Sequence, residues 1–166
     1  MSLKNGIDVT HIYCHMGIVV TPKFIKNYLN LAKIYKIPAF VPKVNKEQLI
    51  ELGFGQFADF YLNQINELVK EDFPLIDHFL SGSLEFIDDK VQFYIDIFTS
   101  LKPGLTYLLF HPAKMSPELQ ALRHTPVECN QDYEAFTSKK PKEHTDSLNI
   151  HLIGYKDIRK YFRELI

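Results

Sequence analysis

The chain has 166 residues, 46% of them hydrophobic, and 19 basic against 20 acidic side chains leave a formal net charge of −1. A domain of this length buries roughly 70% of its unfolded surface, so one domain over residues 1–166 with a real core is expected, and near-neutrality gives no electrostatic footprint for nucleic acid or an anionic membrane. Cys14 and Cys129 match no CxxC spacing and are too few for a disulfide framework, no apolar run reaches the ~18 residues that span a bilayer, and the first residues lack a signal pattern, so a soluble, cytoplasmic protein is expected.

Ile7 to Cys14, rich in β-branched residues, reads as a first strand. Thr21-Pro22 reads as the N-cap and first residue of a helix running to about Lys36, with Phe24, Ile25, Tyr28, Leu31, Ala32 and Tyr35 as its inward stripe. Ile37 to Val41 is a second short strand between prolines. From Asn45 to Lys70 a helical region carries Phe57, Phe60, Tyr61, Ile65, Leu68 and Val69 on its buried face and is broken near Gly53 and Gly55. Pro74 to Leu80 gives a third strand, and Ser83 is a cap for a helix bearing Phe86, Ile87, Val91, Tyr94, Ile95 and Phe98.

Leu105 to Phe110 is nearly continuously apolar, as a parallel strand covered on both faces requires. The polar, proline-punctuated stretch from Pro112 to Glu128 then reads as a site-covering loop. Short helices near Asp132 to Phe136 and Lys139 to Leu148 lead to a fifth strand at Ile150 to Gly154, and a helix over Asp157 to Leu165 closes the chain. This alternation specifies an α/β fold, a parallel (β/α) repeat that is either open or bent into a partial or distorted barrel of about five strands.

In such folds functional groups collect beyond the carboxyl ends of the strands. That rule selects His15 with Cys14 and Met16 after the first strand, Asp77 and His78 at the third, His111 in Phe110-His111-Pro112 after the fourth, and Tyr155 after the fifth. His15 is either a ligand for a divalent metal or a surface or hydrogen-bonded histidine at a strand end. His11 lies four residues earlier, ~13 Å away along a strand, too far to share an ion with it. His111 is either a general acid or base or a turn histidine before Pro112. Cys14 is adjacent to His15, but strand neighbours point to opposite faces, so it reads as a small buried residue rather than a nucleophile. Asp88-Asp89 reads as a solvated first turn of its helix.

Thr10-His11-Ile12 through His15-Met16-Gly17, Pro103-Gly104-Leu105-Thr106 to Phe110-His111-Pro112, and Ile150-His151-Leu152-Ile153-Gly154-Tyr155 together resemble the YdjC-like carbohydrate deacetylases, the family that includes chitooligosaccharide deacetylase. The resemblance runs in order through nearly the whole chain. It implies a distorted (β/α) barrel that removes an acetyl group from an N-acetylated sugar or oligosaccharide with the help of a divalent metal, Mg or Zn. His15 falls on the family's metal-binding histidine, and His111 on its His-Pro histidine, implying an acid that protonates the leaving amine. His11, Cys14, Met16, Asp77 and Pro112 become pocket residues.

Tyr13 stands where the motif has aspartate, and Cys14 where it has a small residue. The family's Asp-Asp strand, the source of its catalytic base and a metal ligand, has no counterpart here. The expectation is therefore a domain incomplete at its N-terminus, with metal held weakly or not at all and activity impaired or lost. A noncatalytic carbohydrate-binding or scaffold remnant is the alternative. An uncovered first strand would also favour pairing with a second copy, as a dimer.

Overall fold

A computed structural model describes residues 3–15, 17–82 and 84–165. The chain packs as two compact units, Met1–His78 with Leu152–Ile166, and Phe79–His151.

In the first unit the helices are α1 (Ile25–Tyr35), α2 (Lys46–Glu51), α3 (Ala58–Lys70) and the last helix of the chain, Tyr155–Leu165. The buried stripe of α1 is Ile25, Tyr28, Leu29 and Ala32, a run at i, i+3, i+4 and i+7 that faces one way on a helix. Leu31 and Tyr35, expected inside, are 49% and 50% exposed, and Phe24 precedes the helix. The stripe is thus rotated from the expected one, because Leu29 rather than Leu31 completes the face set by Ile25 and Ala32. Thr21 does not cap α1 either. Its hydroxyl donates to the Ile18 carbonyl at 2.8 Å, and its own carbonyl accepts the Ile25 N–H at 3.1 Å, so the chain enters through a turn.

Asn45 caps α2 by a reciprocal pair of bonds with Gln48, 2.8 and 2.9 Å. Gly53, at φ 82°, takes the left-handed turn that separates α2 from α3. On α3 the buried residues are Ala58, Tyr61, Ile65 and Leu68, whereas Val69, expected inside, is half exposed.

The first two expected strands appear as single parallel bridges, Ile12 with Ala39 and Pro42 with Ile76. Proline explains the brevity. Pro38 and Pro42 bracket the middle segment and have no N–H to extend a ladder. What pairing there is depends on tyrosines. Tyr28 Oη donates to the Ile12 carbonyl at 2.9 Å and accepts the Phe40 N–H at 3.0 Å, fastening the first two segments to α1. Tyr61 Oη does the same for the Pro42 carbonyl at 2.8 Å. Burial pushes both hydroxyls well above the usual tyrosine range, so they stay protonated donors. Phe162 of the last helix is buried edge-on against Phe73 at 5.1 Å between ring centroids, and burying such a side chain contributes roughly 1.5–3 kcal/mol.

The second unit holds most of β1 (His78–Ser81), then α4 (Lys90–Thr99), β2 (Thr106–Leu109), α5 (Pro117–Leu122), α6 (Pro126–Thr137) and α7 (Lys139–Ser147); the last helix of the chain is therefore α8. β1 and β2 pair in parallel as a two-stranded sheet. Strand β2 forms where the apolar run predicts it but is half-buried at every position rather than covered on both faces.

The helix expected from residue 83 begins instead at Lys90, with Asp89 as its N-cap accepting the Gln92 N–H at 2.9 Å; Ser83 lies outside the described residues. Phe86, expected on the inward stripe, is 60% exposed. The expected loop from Pro112 to Glu128 contains α5, capped by Ser116, and the start of α6. The helix-compatible prolines at their first turns were the signal for both. Ile150 to Gly154 is not a strand, because Leu152 and Ile153 are 75% and 53% exposed and no neighbouring segment pairs with them among the described residues. The fold is mixed α/β with parallel pairing, and no described helix is long and apolar enough to cross a membrane.

Candidate functional site

In the first unit the segment approaching the candidate histidines is fastened to α8. The guanidinium of Arg159 pairs with the Asp8 carboxylate, 3.2 Å from Nη2 to Oδ2, and donates to the Val9 carbonyl at 2.8 Å. That contact holds the Asp8 carboxyl below its ordinary value and Arg159 above its own. Two residues on, His11 stacks on Tyr155 with ring centroids 3.8 Å apart and planes 4° from parallel, and Thr10 Oγ1 shares a 2.9 Å hydrogen bond with its Nδ1. Partial burial holds the His11 imidazole below the usual histidine range.

His15 sits on an exposed turn, and Cys14, half-buried, carries a free thiol. Met16 lies outside the described residues. Asp77 pairs with Lys43 at 2.7 Å. Among the described residues no group of three or more His, Cys, Asp or Glu side chains converges to hold a metal ion. The three protein ligands usual for a catalytic zinc are therefore not supplied by these residues alone.

In the second unit the residue that organises the end of β2 is one the sequence reading missed. Asp132, on α6, is fully buried. Its Oδ2 accepts the His111 backbone N–H at 2.9 Å, and its Oδ1 accepts the Tyr94 hydroxyl at 2.6 Å and lies 3.5 Å from Lys90 Nζ. Lys90 and Tyr94 are themselves 4% and 0% exposed. Burial first, and then the adjacent Asp132 carboxylate, drive the Tyr94 hydroxyl far above the ordinary tyrosine range, which keeps it a donor.

The rings of Tyr94, Phe110 and Phe136 close over this group, Phe110 stacking on Phe136 at 4.0 Å and Tyr94 lying 4.6 Å from Phe136. The chain after His111 and the half-buried Pro112 is held to the same helix by two bonds. Ala113 N–H donates to the Cys129 carbonyl at 3.0 Å and Met115 N–H to Asn130 Oδ1 at 2.7 Å. The His111 side chain, by contrast, has its Nδ1 buried with no hydrogen-bond partner among the described residues. Such an atom is uncommon in a folded interior.

A signal for Asp132 was present. Cys129, Asp132 and Ala135 are the buried residues of α6 at i, i+3 and i+6, so the aspartate lies on the apolar face of its helix.

Comparison with known proteins gives the family. Residues 1–147 match the family described as YdjC-like protein. A carbohydrate deacetylase of Thermus thermophilus is 30% identical over 152 residues, which are 91% of this chain and 53% of that protein. A carbohydrate deacetylase of Thermoanaerobacter pseudethanolicus is 22% identical over 156 residues, 93% of this chain and 54% of the other. The crystal structure of a protein from Enterococcus faecalis V583, provisionally named for cellobiose-phosphate cleavage, superposes with a TM-score of 0.63 at 21% identity, over 94% of this chain and 55% of that one. The chain thus spans about half the length of the relatives it matches. With a match that covers most of its residues, the chain belongs to the YdjC-like family.

Proposed function

We propose that this chain carries part of a carbohydrate deacetylase that hydrolyses the acetamide of N-acetylated sugars or oligosaccharides. The observation that carries this reading is the alignment of two relatives named carbohydrate deacetylase over 91% and 93% of the chain. On the same reading the parallel segments around Ile12, Ala39 and Ile76 and the strands β1 and β2 belong to a distorted (β/α) barrel.

The reaction breaks a C–N bond. Water adds to the acetyl carbonyl, the tetrahedral intermediate collapses, and the departing amine takes a proton. His111 is the residue assigned to that last proton. It stands just beyond β2, its main chain is fixed by Asp132, and its Nδ1 is enclosed without a protein partner among the described residues. His15 is proposed as one ligand of a divalent ion, Mg or Zn. The described residues do not complete a three-ligand set, so this chain's own part in the chemistry rests on His111. Tyr13, in place of the motif's aspartate, favours impaired turnover, and it also supports a second reading, a noncatalytic carbohydrate-binding relative of the same fold.

The test is acetate release from N-acetylglucosamine oligomers with added Mg or Zn, alongside calorimetric binding of the same sugars. The expected result is saturable binding and turnover well below the ~10 s⁻¹ typical of enzymes, lowered by a further ~10² in His111→Ala. Binding without acetate release would select the noncatalytic reading, and neither binding nor release would overturn both.

A further inference from the structure

A buried ion pair is a costly way to fill an interior. Apolar residues of the same volume usually stabilise a fold as well or better, since two charges must leave water. Lys90, Tyr94 and Asp132 are nevertheless all sealed from solvent, with the carboxylate bonded from both of its oxygens. Apolar replacements could fill that volume, but they could not accept a backbone N–H. The backbone N–H that the Asp132 carboxylate accepts belongs to the residue that bears the candidate acid.

A second feature places this network at the strand ends. Gly82 follows β1, its N–H donates to the Leu109 carbonyl at 2.6 Å, and a Cβ there would run into the Tyr94 hydroxyl. The phenol is therefore wedged against the carboxyl ends of both strands, with room made for it by a glycine.

We propose that Asp132, held by Lys90 and Tyr94, is a positioning residue for His111. It fixes the backbone at the end of β2 so that the imidazole occupies one place, while its own carboxylate never meets substrate. This rests on the reading of His111 as the acid of deacetylation.

The experiment compares the chain with the triple variant Lys90→Met, Tyr94→Phe, Asp132→Leu, an apolar filling that removes both charges and the phenol hydroxyl together. Three readouts are taken: the melting temperature, the amide and imidazole nitrogen resonances of His111 with amide exchange, and kcat and KM for acetate release. In the unmodified chain the His111 amide is expected downfield and slow to exchange. In the triple variant the melting temperature stays close to that of the parent, the His111 amide moves upfield and exchanges faster, and kcat falls by about 10² with KM little changed. A His111 amide that exchanges freely in the unmodified chain would overturn the proposal without any variant. So would a folded triple variant that keeps both the His111 resonances and kcat. Absence of acetate release from the unmodified chain would overturn the deacetylase reading instead, and the resonances would still decide the positioning role.

Discussion

Two segments of this protein that lead into candidate histidines are tied down, and they are tied in opposite ways. Before His11 and His15, Asp8 and Val9 are held by Arg159 at the surface, where the carboxylate side chain remains 58% exposed. At His111 the tie is Asp132, fully buried and bonded to a buried phenol and ammonium. A surface pair sits in high dielectric, is screened by salt, and contributes little. A buried carboxylate that loses its partners, or leaves them behind, has no water to fall back on. Of the two devices, the buried one is therefore expected to hold the main chain at its histidine the more firmly, and the surface one to be lost at smaller cost.

The sharpest way to break that contrast is to cut each tie alone. Asp132→Ala takes the counter-charge from a buried ammonium, which keeps its 3.5 Å contact to the Glu85 carbonyl, and removes the acceptor of a buried hydroxyl and of the His111 N–H; it is expected to destabilise the protein by about 3–5 kcal/mol, measured by denaturant unfolding. A loss below ~1 kcal/mol, the ordinary worth of a surface pair, would show that water reaches the group and that the two ties are alike. Arg159→Ala is expected to lower the melting temperature by far less than Asp132→Ala, with an effect that shrinks further as salt is raised. A salt-independent loss as large as that of Asp132→Ala would contradict the comparison from the other side.

The same contrast explains which parts of the site the sequence made legible. His111 was visible because an apolar run ended just before it, and β2 formed there over Thr106–Leu109. His15 was visible for the same reason, although the strand leading to it shrank to one bridge at Ile12, because flanking prolines limit its neighbour's donors. Asp132 was not found, since an aspartate on a helix is ordinarily solvated and its partners lie 21 and 38 residues away in sequence. Only its register with Cys129 and Ala135 betrays it. The stripe of α1 was misassigned between Leu29 and Leu31 because both fall near the edge of a helical face, and which of them is buried depends on tertiary contacts that periodicity does not contain.

The surface tie also carries the finer pH signature. His11, stacked on Tyr155 and partly buried, has its folded-state value depressed below the ordinary 6.5, with burial as the cause. Folding therefore favours the neutral ring, and the unfolded chain binds the proton more readily. The contribution is fully present above pH 6.5 and is lost as pH falls through that value toward the lower folded one. Asp8 acts in a separate window, since its carboxyl is lowered by Arg159 and its contribution disappears only as pH falls below 3.8. Unfolding titrations of the parent and of His11→Phe, which keeps a ring against Tyr155, separate the two. The difference between the proteins should be flat above pH 7 and slope just below 6.5, while the loss beneath pH 3.8 stays common to both. A parent and a variant that lose stability in parallel from neutral pH downward would mean that the His11 ring is solvated in both states. The stack on Tyr155 would then hold that histidine no more firmly than the salt-screened pair beside it.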